Sequence, residues 1–150
     1  MRISFKGLLC LSLALCATTG MAQTKLRAWN IHPDAYPVSE AMKSFVEQVA
    51  KSTNGRYSIE LFNNGSLGDQ PKAVQMLKSG EIDVAEFSSG PLSDAVPGIK
   101  VLNLPFLFTD SAHMFRHLDG KLGERFAANL KSAGFVVLGW YDGGGRSFYC

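Results

Sequence analysis

The sequence predicts an α/β protein with a mostly parallel open sheet flanked by helices on both faces. Three observations carry that expectation. Short alternating apolar runs at residues 26–31, 57–62 and 82–87 are separated by longer stretches with helical periodicity. Those stretches are long enough to cross over from one strand to a parallel neighbour, which a tight hairpin is not. Polar residues gather just after each run, where ligands bind in open sheets of this kind.

Residues 26–31 form the first strand candidate, with Leu26, Ala28 and Asn30 sharing a side. Residues 32–37 form a loop, since Pro33 and Pro37 forbid regular pairing. From Val38 the apolar positions fall at 38, 41, 42, 45, 46, 49 and 50, one stripe of an amphipathic helix. A cap is expected near Ser39, and Asn54-Gly55 ends the helix. Residues 57–62 alternate as the second strand, and Asn63, Asn64 and Gly65 turn the chain. Asp69 is a good N-cap with Pro71 in the first turn, and Gly80 stops that helix. Residues 82–87 make the third strand and 88–98 a loop with a possible helical turn. The apolar run 101–108, broken by Pro105, reads as a buried strand leading into a loop on the hinge side. Helices are expected from Asp110 and over 121–132. Residues 135–141 read as a fourth apolar strand, and 146–150 as a fifth after a triple-glycine hinge.

The N-terminus stands apart. Arg2 and Lys6 precede a short apolar run at 8–17, and Gly20-Met21-Ala22 supplies small residues where a signal peptidase cuts. The run is too short to span a bilayer as a helix. Residues 1–22 are therefore expected to be a secretory signal peptide, with Gln23 as the mature N-terminus. Leu13-Ala14-Leu15-Cys16 resembles a lipobox, but Leu15 stands where a small residue is wanted. Arg2 and Lys6 leave with the signal, so 13 of the 15 Lys+Arg stand against 13 Asp+Glu and the net charge falls from +2 to zero. That balance gives no basic surface for nucleic acid. Cys150 is then the one thiol left, which excludes an internal disulfide although the compartment would permit one.

Residues 52–92 run S-x-N-G-R, an alternating strand, N-x-x-L-G, a helix ending in S-G-E-I-D, then E-x-S-S-G-P-L. With Val96-Pro97, the run 101–108, His117-Leu118-Asp119-Gly120 and the segment 143–149, this order resembles the solute-binding proteins of TRAP (tripartite ATP-independent periplasmic) transporters. The likeness covers most of the chain from Leu26 onward. It implies a periplasmic-binding-protein-like lobe, truncated before most of the second lobe, since the family's members are about twice as long. Residues 23–142 would be an incomplete N-terminal lobe, and 143–150 the hinge crossing and start of the second. The implied partners are an organic acid and the membrane permease subunits. The resemblance implies a monomer at full length, with no cofactor, metal or nucleic acid. The wording of 141–149 is similar to members that take sugar acids, which favours hexuronates, with four-carbon dicarboxylates close behind.

Arg146 follows three glycines that leave its guanidinium accessible, and Arg holds a carboxylate by two parallel hydrogen bonds. The resemblance implies that an Arg here contacts an acid substrate; a surface or inter-lobe salt bridge is the alternative. A second family Arg, in G-x-K-x-R, falls beyond this sequence. Glu86 and Ser88 lie two apart on the third strand's exit and so face one way. The resemblance places ligand-contacting side chains there; for Glu86 a solvated strand-end charge is the alternative. His32 and Tyr36 follow the first strand, as ligand contacts or structural groups. Asp69 reads as a cap, while Gln70 is within reach of a ligand. Enzyme signatures are missing: no G-x-S-x-G, H-E-x-x-H or C-x-x-C occurs. His113 and His117 have the spacing of half a metal site but no acid beside them, and read as surface histidines. Residues 142–147 lack the Lys-Ser/Thr of a P-loop. A receptor of ABC-transporter type and a periplasmic hydrolase are the alternative classes.

Overall fold

The computed structural model describes residues 22–145. The expected signal peptide up to residue 21, Arg146 and the expected fifth strand lie outside the described residues. The elements are β1 (Thr24–Trp29), α1 (Pro37–Ser52), β2 (Tyr57–Phe62), α2 (Gln70–Ser79), β3 (Val84–Ala85), α3 (Ser111–Leu118) and α4 (Lys121–Ser132), with 3-10 turns at Pro91–Asp94 and Pro97–Asn103.

The three strands form one parallel sheet in the order β2-β1-β3. β1 is central, and its alternating side chains divide between two helices. Ala28 packs with Met42 of α1 and Ile59 of β2, with Leu26 beside them. Trp29 packs with Ala73 and Met76 of α2 and with Ile82. Helices therefore cover both faces, as the expected crossovers require. A third cluster joins Val74 of α2 to Val96, Ile99, Leu118, Phe126, Leu130 and Phe135.

Local chemistry sets most boundaries. α1 begins at Pro37, whose fixed φ suits a first helical position, with Tyr36 as N-cap. Ser39 is therefore not the cap that was expected; it is buried inside the first turn. Asp69 caps α2 by accepting from the Lys72 N–H at 3.0 Å, and Gly80 ends it at φ +77°. Asp110 likewise accepts from the His113 N–H at 2.6 Å and starts α3.

Three further expectations need correction. The third strand shrinks from 82–87 to Val84–Ala85. Backbone bonds still flank it, Asp83 N–H to Arg27 O at 2.8 Å and Glu86 N–H to Trp29 O at 3.1 Å. At its start the Asp83 carboxylate accepts the Arg27 N–H at 2.8 Å, replacing a ladder bond. Residues 101–108 are not a buried strand. They finish a 3-10 turn and open into a loop in which Leu104 is 56% and Phe106 93% exposed. Pro105 donates no hydrogen bond and forces Leu104 extended (φ −64°, ψ 133°), and Phe106 turns to φ +59°. Residues 135–141 form no strand among the described residues. Their alternation is nevertheless strand-like: Phe135 is buried, Val136 and Leu138 are 75% and 69% exposed, and Trp140 packs inward.

Such exposed apolar area favours association. Residues 23–150 expressed alone are expected to self-associate in sedimentation velocity and to melt broadly. A sharp, cooperative melt of a monomer would count against this.

Candidate functional site

All three strands are parallel, so their carboxyl ends share one edge. The order β2-β1-β3 means that the chain steps to one side of β1 and then to the other. The crevice between the ends of β1 and β3 is thus a topological switch point, where ligands bind in open α/β sheets. The β1 exit carries Asn30 and His32, and the β3 exit carries Glu86 and Ser88.

His32 Nε2 stands 3.6 Å from Glu86 Oε2 across this crevice. That is ion-pair range but too long for a hydrogen bond. Glu86 Oε2 is buried and finds no hydrogen-bond partner among the described residues. The Glu86 side chain is only 11% exposed. Burial therefore holds its carboxyl above the usual range, with His32 pulling partly the other way. The His32 ring also stacks on Tyr36, with centroids 4.3 Å apart and planes at 13°.

Gln70, the first residue of α2, reaches Ser88. Its Oε1 accepts the Ser88 N–H at 2.9 Å, and its Nε2 lies 3.5 Å from Ser88 Oγ. Five of the six sequence-predicted residues thus fall at one edge, as a Tyr36–His32–Glu86 row and a Gln70–Ser88 pair. Arg146 is the sixth and lies outside the described residues. Cavities of about 160 Å³ beside Pro71 and Pro91 and about 300 Å³ beside Gly123 and Trp140 lie elsewhere. Neither cavity is lined by His32, Tyr36, Gln70, Glu86 or Ser88.

Sequence reasoning missed the amides and hydroxyls beneath this edge. Asn30 is fully buried. Its Nδ2 donates to Ser39 Oγ at 2.6 Å and to Asn63 Oδ1 at 3.2 Å, and its Oδ1 accepts the His32 N–H at 2.9 Å. Asn63 Nδ2 in turn donates to Asp34 Oδ1 at 2.7 Å. This network ties the β1 exit, the first turn of α1 and the β2 exit together. The available signal was an asparagine on the apolar side of β1, in register with Leu26 and Ala28.

A carboxyl whose folded pKa is raised binds its proton more tightly in the folded state. Its favourable contribution is full below the ordinary value of 4.5 and is lost as pH rises through the raised folded value. Glu86→Gln, which resembles the protonated form, is therefore expected to raise unfolding stability at pH 7. The gain should shrink as pH falls below 4.5. Urea denaturation at both ends of that range measures it, and a variant less stable than wild type at pH 7 would contradict the desolvation account.

A doubly covered parallel sheet with polar groups at its switch point has the architecture of a small-molecule-binding α/β lobe. Residues 30–150 match the bacterial extracellular solute-binding protein family 7, and the chain belongs to that family. A solute-binding protein of Chromohalobacter salexigens is 44% identical over 133 residues, which is 89% of this chain and 39% of that protein. The crystal structure of a TRAP periplasmic solute-binding protein from a Sulfitobacter species, with bound β-D-galacturonate, is similar at TM-score 0.80 and 42% identity. The match covers 84% of this chain and 42% of that one. One from Chromohalobacter salexigens with bound D-glucuronate gives TM-score 0.74 and 44% identity over 77% and 38% of the two chains. The chain thus spans 39% of the first of these relatives. The resemblance read from residues 52–92 and the α/β fold class both hold.

Proposed function

We propose that this chain is the N-terminal lobe of a periplasmic TRAP solute receptor, which captures an organic acid and presents it to a membrane permease without transforming it. Residues 23–142 supply the lobe and 143–150 the crossing toward a second. The observation that carries this reading is Glu86, whose buried Oε2 has no hydrogen-bond donor among the described residues and faces His32 at the switch point. Leaving a buried acceptor unmade is unfavourable, and hydroxyl donors from a ligand would satisfy it. A carboxylate at this position suits a hydroxylated ligand such as a hexuronate better than a plain dicarboxylate, which offers no hydroxyl. The galacturonate and glucuronate held by similar proteins support the same choice. Arg146 is the residue assigned to the ligand's own carboxylate, with Ser88, Gln70, His32 and Tyr36 lining or supporting the site.

Export and capture are tested together. The full chain as its gene encodes it, recovered from the periplasm, is expected to begin at Gln23 by mass spectrometry. It should bind galacturonate or glucuronate more tightly than succinate in calorimetric titration. Retention of Met1, lipid on Cys16, or no binding of any of the three acids would count against the reading.

A further inference from the structure

Tyr36 is tied to a residue far along the chain. Its hydroxyl donates to the Gly143 carbonyl at 2.7 Å. Gly143 opens the run Gly143-Gly144-Gly145, where three residues without side chains give the backbone its widest freedom. Gly144 uses that freedom at φ +89°. Left alone, such a run would not point the following chain in any one direction. Here it is held at two places. Tyr36 takes the Gly143 carbonyl, and the Asp142 carboxylate accepts both the Gly144 N–H at 2.8 Å and the Ser111 hydroxyl.

The Tyr36 backbone is held on both sides. Its N–H donates to Pro33 O at 3.0 Å, and its carbonyl accepts the Glu40 N–H at 3.1 Å. Pro37 then fixes the start of α1. The ring stacks on His32, whose Nε2 stands 3.6 Å from Glu86 Oε2. A continuous row therefore runs from Glu86 through His32 and Tyr36 to the glycine run. Because its hydroxyl is already engaged by Gly143, Tyr36 differs in role from the groups that would meet a ligand.

We propose that Tyr36 is a positioning residue that ties the strand-end site to the direction in which the chain leaves the lobe at Gly143. This rests on the functional reading above. A shift of His32 toward a bound ligand tilts the stacked ring, and a hydrogen bond is lost over a fraction of an ångström to an ångström. Occupancy of the site and the setting of the glycine run then bias one another, and the bias is the same in both directions. Tyr36 acts through Gly143 and not on the ligand's own groups. Its loss should therefore weaken every ligand by one factor, because each must then order a freer crossing on binding.

The test uses Tyr36→Phe in the full chain as its gene encodes it. Phenylalanine keeps the stack on His32 and removes only the hydroxyl. In the ligand-free protein, amide exchange at Gly144 should quicken by about fivefold, the factor for one net hydrogen bond. Amides of β1 and β2 should exchange as in wild type. Galacturonate and glucuronate, which differ in the configuration of one hydroxyl, should lose affinity equally, by about the same factor. Unchanged exchange at Gly144 would overturn the tie. A loss confined to one of the two sugars would overturn the positioning role and make Tyr36 a direct ligand contact. Failure of the wild type to bind either sugar would sink the functional reading, while the exchange comparison, made without ligand, still decides whether Tyr36 holds Gly143.

Discussion

Asn30→Ala is expected to remove about 2–4 kcal/mol of folding stability, a large share of the total for a domain of this kind. Every polar group of Asn30 is engaged. Its N–H donates to Phe62 O and its carbonyl accepts the Gly65 N–H, while the side-chain amide serves Ser39, Asn63 and His32. Alanine keeps the backbone bonds but strands the His32 N–H and leaves Ser39 and Asn63 without their donor. It also opens a void beside fully buried Ser39. Each buried polar group left unpaired costs about 1–3 kcal/mol, and part of that will be recovered by relaxation or water. Guanidinium denaturation measures the sum. A loss under about 0.5 kcal/mol, the range of ordinary surface substitutions, would mean that the network does not hold this edge together.

Arg146→Lys is expected to weaken acid binding by about ten- to a hundredfold, the largest effect anticipated on affinity. Lysine keeps the charge but loses the planar fork that meets a carboxylate through two parallel bonds. A hydrogen bond to a charged group is worth about 1.5–3 kcal/mol, which sets that range. Glu86→Gln should cost less, because Gln retains an acceptor, and its effect should vary with the ligand's hydroxyl pattern. Arg146 should therefore rank above Glu86 for galacturonate, glucuronate and succinate alike in calorimetric titration. If Arg146→Lys binds all three as wild type does, Arg146 is a structural charge only.

What the sequence made legible was the part governed by local chemistry. The apolar stripe from Val38 to Ala50 became α1, the alternation at Tyr57–Phe62 became β2, and Asp69 and Gly80 bound α2 where a cap and a stop belong. What escaped depended on partners distant in sequence. The runs 101–108 and 135–141 are apolar enough for strands, but a strand needs a neighbour to complete its ladder. Residues 135–141 show the alternation without the pairing, and Pro105 and the positive φ of Phe106 divert the other run. At the site, the strand-end rule drew attention to His32, Glu86, Ser88 and Gln70. It was silent on which pair with each other. The meeting of His32 with Glu86 depends on β3 lying beside β1, and the amide network depends on Ser39 being inside a helix that Pro37 starts early.

The crystal structure of the full chain with galacturonate bears most directly on the central claim. We expect the sugar at the crevice between the β1 and β3 exits, with a ligand hydroxyl within about 3.2 Å of a Glu86 carboxylate oxygen and its carboxylate against the Arg146 guanidinium. Galacturonate bound away from these exits, with Glu86 still facing only His32, would contradict it.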